Sequence, residues 1–215
     1  MTLDERAPER AVLDDLFAAP RAEVVTADGA VVPLPVDRWK GEADAADHSL
    51  FVRPCTGATL DVGCGPGRLT HALTRRRVPA LGVDVSAEAV RQARTRGAPA
   101  LCRDVFDAVP GAGTWRHALL ADGNIGIGGD PVRLLRRVAE LLHPRGTLLA
   151  EVEPHGTASR THWVRLRVRG CESAPFPWAR VSIVGVTDVA HRAGMVVRAV
   201  HEHDGRHVAV ITRGE

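Results

Sequence analysis

TLDVGCGPGR, residues 59–68, is the stretch of sequence that decides the fold. An apolar, β-branched run ends at Val62, three glycines follow at alternate positions, and an amphipathic helical pattern begins at Leu69. A strand, a tight glycine-rich turn and a helix N-terminus, in this order, are how α/β folds build a nucleotide pocket. The free N–H groups of the helix favour a carboxylate, and the acidic side chain of Asp61 favours an amine. An amino acid joined to a nucleoside would use both.

The spacing of the glycines distinguishes between two kinds of nucleotide-binding motif. It is Gly63-x-Gly65-x-Gly67, with Asp61 two positions before the first glycine, whereas the dinucleotide fingerprint is G-x-G-x-x-G. The pattern resembles the first motif of the class I S-adenosylmethionine-dependent methyltransferases. A tight turn without a ligand is the alternative for a glycine-rich turn taken alone, so the rest of the chain has to decide between them.

Strands and helices alternate regularly after the glycine-rich turn. The predicted strands are residues 80–83, 99–102, 117–121 and 147–151, and the predicted helices are 69–76, 86–97 and 130–143. Ser86 and Asp130 have the side chains that favour helix N-caps, and Pro131 suits a first helical position. Strands that are apolar throughout indicate a parallel sheet covered on both faces.

The end of the chain changes character. A helix is predicted over residues 187–192, and strands are predicted over 195–203 and 207–212, joined so closely that they must be antiparallel. We therefore predict an α/β fold with a Rossmann-like, seven-stranded, mostly parallel sheet, helices on both faces and an antiparallel C-terminal hairpin. This is the architecture of the class I methyltransferases that the first motif resembles.

The residues before the first motif are predicted to be a separate segment. Residues 9–18 have the pattern of a helix, and residues 24–34 suggest two short strands about a turn or an irregular crossing segment. Residues 37–52 suggest a helix or loop beside the pocket. We expect residues 1–52 to form an N-terminal helix and a lid or sheet-edge segment, and residues 53–215 to form the class I methyltransferase domain.

Composition bounds the class of protein. A chain of 215 residues with 45% hydrophobic and 25% charged residues is typical of one soluble domain. It contains no apolar run of about 18 residues, so no membrane span is expected. The charged start, Met1 to Arg6, argues against a signal peptide, and we expect the protein in the bacterial cytoplasm, as a monomer or homodimer.

Cysteine spacing and net charge argue against metal-binding, disulfide-rich and nucleic-acid-binding proteins. The four cysteines are widely separated and form no C-x-x-C pair, so neither a metal site nor a disulfide framework is expected. A net charge of +2 is too small to indicate a nucleic-acid partner. A small-molecule substrate is the expected partner.

The resemblance assigns cofactor-binding residues at the ends of successive strands, where open α/β sheets bind ligands. A carboxylate about twenty residues after the turn, Asp84, suits ribose hydroxyls, Asp104 matches the residue that accepts from the adenine amino group, and the turn after the fourth strand matches the one beside the methyl group. The cofactor implied is S-adenosyl-L-methionine, which leaves as S-adenosyl-L-homocysteine. The predicted cofactor-binding residues are Arg38, Trp39, Asp61, Gly63, Cys64, Gly65, Gly67, Arg68, Asp84, Val85, Asp104, Val105, Ala121, Asp122 and Gly123.

Candidates for catalysis come from the fourth turn and from histidines. The turn ADGNIGIGG, residues 121–129, contains Asp122 and Asn124, either of which could orient an acceptor, although a flexible loop is the alternative. A hydroxyl or carbon acceptor also needs a base, and His155, just past the fifth strand, is the first candidate. His162, His48 and Asp122 follow it.

Three alternatives to a small-molecule methyltransferase of bacterial secondary metabolism stay open. An NAD-dependent oxidoreductase shares the carboxylate at Asp84 but lacks the glycine spacing. A nucleic-acid methyltransferase is suggested by Arg165, Arg167 and Arg169, which alternate with apolar residues on one predicted strand. A non-catalytic S-adenosylmethionine-binding module would retain the same first motif.

Overall fold

The computed structural model describes residues 7–214, which fold into two β-sheets surrounded by helices. The strands are β1 (Ala22–Thr26), β2 (Val31–Pro33), β3 (Thr59–Val62), β4 (Ala80–Asp84), β5 (Ala100–Cys102), β6 (Trp115–Leu120), β7 (Leu142–Val152), β8 (Arg160–Val168), β9 (Cys171–Glu172), β10 (Phe176–Arg180), β11 (Met195–His203) and β12 (Arg206–Arg213). The helices are α1 (Ala7–Ala18), α2 (Val36–Lys40), α3 (Ala45–Asp47), α4 (Arg68–Arg75), α5 (Ala87–Thr95), α6 (Pro131–Leu141) and α7 (Val186–Arg192). A π-helical turn, His48–Val52, continues α3.

The larger sheet confirms the predicted fold class. Its seven strands lie in the order β11-β12-β7-β6-β3-β4-β5. The five strands from β3 to β7 pair in parallel, whereas β12 is antiparallel to both β7 and β11. This is a mostly parallel Rossmann-like sheet that ends in an antiparallel hairpin.

Local signals place the helices that cover this sheet. The Ser86 hydroxyl accepts from the backbone N–H of Ala89 at 3.1 Å and caps α5. The Asp130 carboxylate accepts from the N–H of Arg133 at 3.0 Å and caps α6, with Pro131 at the first helical position. These caps confirm two predicted helix starts. The buried face of α6 then packs on the sheet with the residues Val132, Leu134, Leu135, Val138 and Leu141.

A second sheet joins the N-terminal segment to residues 160–180. Its strands lie in the order β10-β8-β1-β2, with β9 added to β8, and every pair is antiparallel. Val24 of β1 lies opposite Leu166 of β8. The sequence predicted strands near residues 24–34 and 164–169 but not their pairing, because strand pairing depends on tertiary context more than on local propensity.

Helix α1 docks beside the glycine-rich turn. The Asp14 carboxylate accepts from the Ser86 hydroxyl at 2.6 Å and from the N–H of Glu88 at 3.0 Å. The ring of Phe17 lies 3.5 Å from the place that a Cβ on Gly65 would take. The N-terminal helix therefore packs against the mouth of the predicted nucleotide pocket.

Two further expectations from the sequence concern the first residues of the chain and membrane-spanning helices. Residues 1–6, whose charge argued against a signal peptide, lie outside the described residues. Over residues 7–214, the structure contains no helix with the length and apolar character needed to cross a bilayer.

Candidate active site

A cleft of about 510 Å³ lies between the carboxyl ends of the parallel strands and the second sheet. The structure brings most of the predicted site residues to its walls. These are Trp39, Asp61, Gly63, Cys64, Gly65, Arg68, Asp84, Val85, Asp104, Val105, Ala121, Asp122 and Asn124. Six predicted residues are not part of the lining, namely Arg38, His48, Gly67, Gly123, His155 and His162.

The glycine-rich turn has a backbone that only glycine adopts easily. Gly63, Gly65 and Gly67 have φ angles of +70°, +52° and +82°, which lie in the left-handed region. Gly67 has a packing role, because a Cβ there would lie 2.7 Å from the Cβ of Ala93 on α5. This glycine brings α4 and α5 close together instead of facing the cleft.

Asp84 ends β4 and faces the glycine-rich turn. One carboxylate oxygen accepts from the N–H of Gly65 at 2.8 Å, and the other accepts from the N–H of Ser86 at 2.9 Å. Burial raises the pKa of Asp84, and these backbone hydrogen bonds oppose the rise. Each carboxylate oxygen has a second lone pair, so Asp84 is able to accept from a ligand while it holds the turn.

Asp61 ends up buried beneath the same turn. Its side chain is 2% exposed and accepts from the Thr70 hydroxyl at 2.7 Å. Burial raises the pKa of Asp61 to about 7, the Thr70 hydrogen bond opposes this, and the charge of Asp122 adds to it. A cationic group in the cleft would favour the ionised form.

Six charged side chains form a cluster beside the cleft, which we call the charge cluster, and two of them, Arg68 and Asp122, line the cleft. Its members are Arg38, Asp47, Arg68, Asp122, Glu151 and Arg206. Asp47 is fully buried at its centre, where it accepts from Arg68, from Arg206 at 2.7 Å and from Arg38 at 3.3 Å. The cluster ties the N-terminal segment, α4 and the C-terminal hairpin to one point.

Asp122 belongs to this cluster, where two arginines contact its carboxylate. Its carboxylate is bound by the Arg68 guanidinium, and Arg38 lies 3.4 Å away. Its backbone has a φ of +52°, and its N–H donates to Glu151 at 2.6 Å. Burial would raise the pKa of Glu151, but the hydrogen bonds and charge of Arg206 outweigh burial and lower it.

The Asn124 side chain connects the fourth turn, residues 121–129, to the glycine-rich turn by hydrogen bonds. Its side-chain Nδ2 donates to the carbonyl of Val62 at 3.0 Å and to the carbonyl of Gly63 at 2.8 Å. A Cβ on Gly63 would lie 2.6 Å from this nitrogen. Glycine at position 63 therefore lets the Asn124 amide rest directly on the backbone of the glycine-rich turn.

The opposite half of the cleft is apolar, and the sequence did not reveal it. Its walls come from α1, from β1 and the residues after β2, from the fourth turn and from the second sheet. They include Leu13, Leu16, Phe17, Val24, Leu34, Ile127, Val164, Leu166, Phe176, Pro177 and Trp178. The alternating apolar residues of β8 were the one sequence signal that could have pointed to this wall.

The candidate histidines are not brought to the cleft. His155 is exposed on the turn after β7, where the chain leaves the sheet before β8 begins. His162 on β8 accepts from Arg160 Nε at 2.8 Å, and His48 lies in the π-helical turn. None of the three is a lining residue. The sequence placed His155 by its distance from β7, and distance along the chain does not show where a turn points.

Two of the three alternating arginines, Arg165 and Arg167, lie on the exposed face of β8, whereas Arg169 lies in the turn after this strand. Arg167 pairs with Glu172 at 2.7 Å and with Glu23 at 3.5 Å. Trp163, on the same face, is 59% exposed. This face points away from the cleft, because the alternate residues of β8 line it.

The sheet order, the glycine-rich turn and the acidic side chains after the first strands define an S-adenosylmethionine-dependent methyltransferase of class I. A family model described as a methyltransferase domain matches residues 59–146. An uncharacterized methyltransferase of Mycobacterium bovis is 35% identical over 139 residues, and the match covers 57% of this chain and 70% of the relative. The chain therefore belongs to the S-adenosylmethionine-dependent methyltransferase family and is an enzyme of that family.

Two further comparisons agree. A trans-aconitate 2-methyltransferase of Afipia carboxidovorans is 37% identical over 106 residues, which cover 47% of this chain and 40% of that protein. The chain thus matches less than half the length of this relative. The crystal structure of a methyltransferase from Bacteroides fragilis with S-adenosylhomocysteine has a TM-score of 0.78 at 20% identity, over 100% of this chain and 98% of that one. The last comparison supports the fold.

Proposed function

We propose that this methyltransferase transfers a methyl group from S-adenosylmethionine to a small, largely apolar molecule held against the second sheet. The observation that carries the proposal is the continuous cleft, which runs from Asp84 and the glycine-rich turn to the apolar walls around Leu166 and Phe176. A concave, mostly apolar site with a few convergent polar groups is typical of small-molecule binding.

The residues at the polar half of the cleft fit the cofactor. Asp84 would accept from the ribose hydroxyls, and Asp104 would accept from the adenine amino group. Two buried donors of cleft residues, Trp39 Nε1 and Arg68 Nε, have no hydrogen-bond partner within the described chain. Because buried polar groups normally have partners, these donors fit the carboxylate of the amino-acid end. Asp61 would face its ammonium group.

The cofactor supplies a methyl group that its sulfonium already activates for in-line displacement. The protein has to align the acceptor and exclude water, which together lower the barrier substantially. Phe17 and Trp39, with ring centroids 6.2 Å apart, pack over the turn and would shield it from solvent. Through Arg68, the charge cluster would hold Asp122 and the fourth turn in place beside the reacting atoms.

Cofactor affinity is predicted to depend on pH through Asp61. The pKa of this carboxyl is raised to about 7, so below pH 7 it is mostly protonated and an incoming ammonium group has to displace its proton. We expect affinity for S-adenosylhomocysteine to rise with pH up to about 7 and then to level off. Calorimetry at pH 6 in buffers of different ionisation enthalpy should detect proton release on binding. The Asp61→Asn variant should bind weakly and without this proton release, and release that persists in the variant would contradict the assignment.

The name of one relative and the ion pairs of Arg167 on β8 indicate the size class of the methyl acceptor. The relative from Afipia is named for trans-aconitate, which is a small molecule, and Arg167 on the exposed strand face is paired with two glutamates. Both favour a small acceptor over a nucleic acid. We place the enzyme in bacterial secondary metabolism, in the cytoplasm, as a monomer or homodimer.

Labelled-methyl transfer tests the acceptor class. The protein is incubated with S-adenosylmethionine carrying a radioactive methyl group, together with either the organic-solvent extract of a bacterial culture or total RNA. The proposal expects label in the small-molecule fraction. Label in the RNA alone would contradict it.

A further inference from the structure

We infer that the acceptor atom is the uncharged nitrogen of an amine, whose N–H donates to Oδ1 of Asn124. The inference rests on the proposed function and names the substrate class of the same site. Two observations carry it, namely the orientation of the Asn124 amide and the state of the ionisable groups that line the cleft.

The hydrogen bonds of Asn124 fix which way its amide points. The carbonyls of Val62 and Gly63 accept hydrogen bonds but cannot donate them, so the side-chain atom bonded to both has to be the NH₂ group. The carboxamide oxygen consequently points away from these carbonyls. Within the described residues it accepts no hydrogen bond, and it is not among the buried atoms that lack a partner, so it is accessible on a side chain that lines the cleft.

The acidic groups on the cleft walls are held by neighbouring groups or are assigned above to the cofactor, and the other ionisable lining residues are Cys64, Arg68, Arg103 and Arg133. The Asp122 carboxylate is bound by Arg68, Asp84 accepts from two backbone N–H groups, and Asp104 accepts from the N–H of Phe106 at 2.9 Å. Asp61 is assigned above to the ammonium group of the cofactor. Over residues 7–214 the lining includes neither histidine nor lysine, and the chain has no tyrosine. The site therefore lacks a group placed to take a proton from an alcohol.

An uncharged amine is the nucleophile that suits such a site. Its lone pair forms the new N–C bond as the sulfonium C–S bond breaks, the electron pair of that bond stays on sulfur, and the resulting ammonium loses its proton to water. No base is needed before the transfer. A carboxylate acceptor would also need none, but its oxygens would face the lone pairs of Asn124 Oδ1, whereas an amine N–H is complementary to them.

The apolar half of the cleft also favours the uncharged form of the acceptor amine over its ammonium form. Leu13, Leu34 and Val164 offer no counter-charge to an ammonium group, and taking a charge out of water into such surroundings is costly. The substrate class is thus an apolar molecule with an amine that enters the cleft in its uncharged form, after giving its proton to bulk water.

Four small probes test the acceptor atom on the unaltered protein. Benzylamine, 4-nitrobenzylamine, benzyl alcohol and benzoate share an apolar ring and differ in the reacting group. The inference expects labelled methyl on the two amines only. It also expects kcat/KM to rise with pH up to the pKa of each amine, so that the break occurs at lower pH for the less basic nitro compound. Methylation of the alcohol or benzoate without the amines, no transfer to any probe, or one common pH break for both amines would overturn it.

A variant tests the role of Asn124. For Asn124→Ala we expect kcat/KM for benzylamine, measured at saturating S-adenosylmethionine, to fall about tenfold, as for the loss of one hydrogen bond. Because the Asn124 amide also holds the glycine-rich turn, the Kd of S-adenosylhomocysteine is measured on the same variant. A fall in kcat/KM that a weaker Kd fully explains would overturn the role of Asn124. An unchanged kcat/KM would overturn the role of Asn124. If the unaltered protein does not bind S-adenosylhomocysteine at all, the proposed function is wrong. If it binds S-adenosylhomocysteine but methylates neither amine, only the inference about the acceptor is wrong.

Discussion

Replacing Asp47 with alanine is expected to lower the free energy of unfolding by about 3–5 kcal/mol, the range for removing one partner of a buried ion pair. Asp47 is fully buried and accepts from Arg68 and Arg206. Without it, Arg68, which is only 3% exposed, keeps a single carboxylate partner. The loss is large because a buried guanidinium that loses its counter-charge cannot recover its hydration. Urea denaturation followed by far-ultraviolet circular dichroism measures the effect.

A surface ion pair provides the matched control. Glu172 also accepts from an arginine at 2.7 Å, but both side chains are partly exposed to water. Because solvent screens such pairs, Glu172→Ala should leave the free energy of unfolding nearly unchanged. Equal and small effects of the two substitutions would show that the charge cluster does not stabilise the fold.

Replacing Asp84 with alanine is expected to weaken S-adenosylhomocysteine binding by about 100-fold, because hydrogen bonds to a charged group contribute about 1.5–3 kcal/mol each. The carboxylate would lose its bonds to the ribose and also its hold on Gly65, whose N–H it accepts at 2.8 Å. We expect the fold to remain intact, because burial disfavours the charge of Asp84 and raises its pKa. Calorimetric titration gives the Kd, and a thermal melt checks folding.

Asp107 supplies the control for this prediction. It is exposed, follows the same edge of the sheet and does not line the cleft. Asp107→Ala should bind S-adenosylhomocysteine as the unaltered protein does. If Asp84→Ala binds with unchanged affinity as well, the placement of the ribose is wrong.

The larger sheet and most of the cofactor half of the cleft could be predicted from sequence, because their signals are local. The strand before Gly63, the Ser86 and Asp130 caps and the closely joined hairpin each occupy a few consecutive residues. Physical rules of turns, caps and buried strands act over that range. The resemblance to a methyltransferase motif added the acidic residues at the strand ends.

The acceptor half and the charge cluster could not be predicted, because they depend on contacts between distant parts of the chain. Val24 pairs with Leu166 between two strands of the second sheet, and the Asp47 carboxylate accepts a hydrogen bond from Arg206, which is far away in the sequence. No local pattern encodes either contact. The contact of Asp122 in the fourth turn with Arg68 is of the same kind, because it joins residues that are 54 positions apart.

Calorimetric titration of the purified protein with S-adenosylmethionine, S-adenosylhomocysteine and NADH in parallel tests the central claim most directly. The geometry around Asp61, Asp84 and the glycine-rich turn predicts that both sulfur nucleosides bind and that NADH does not. Binding of NADH alone would contradict the assignment of the cleft to S-adenosylmethionine.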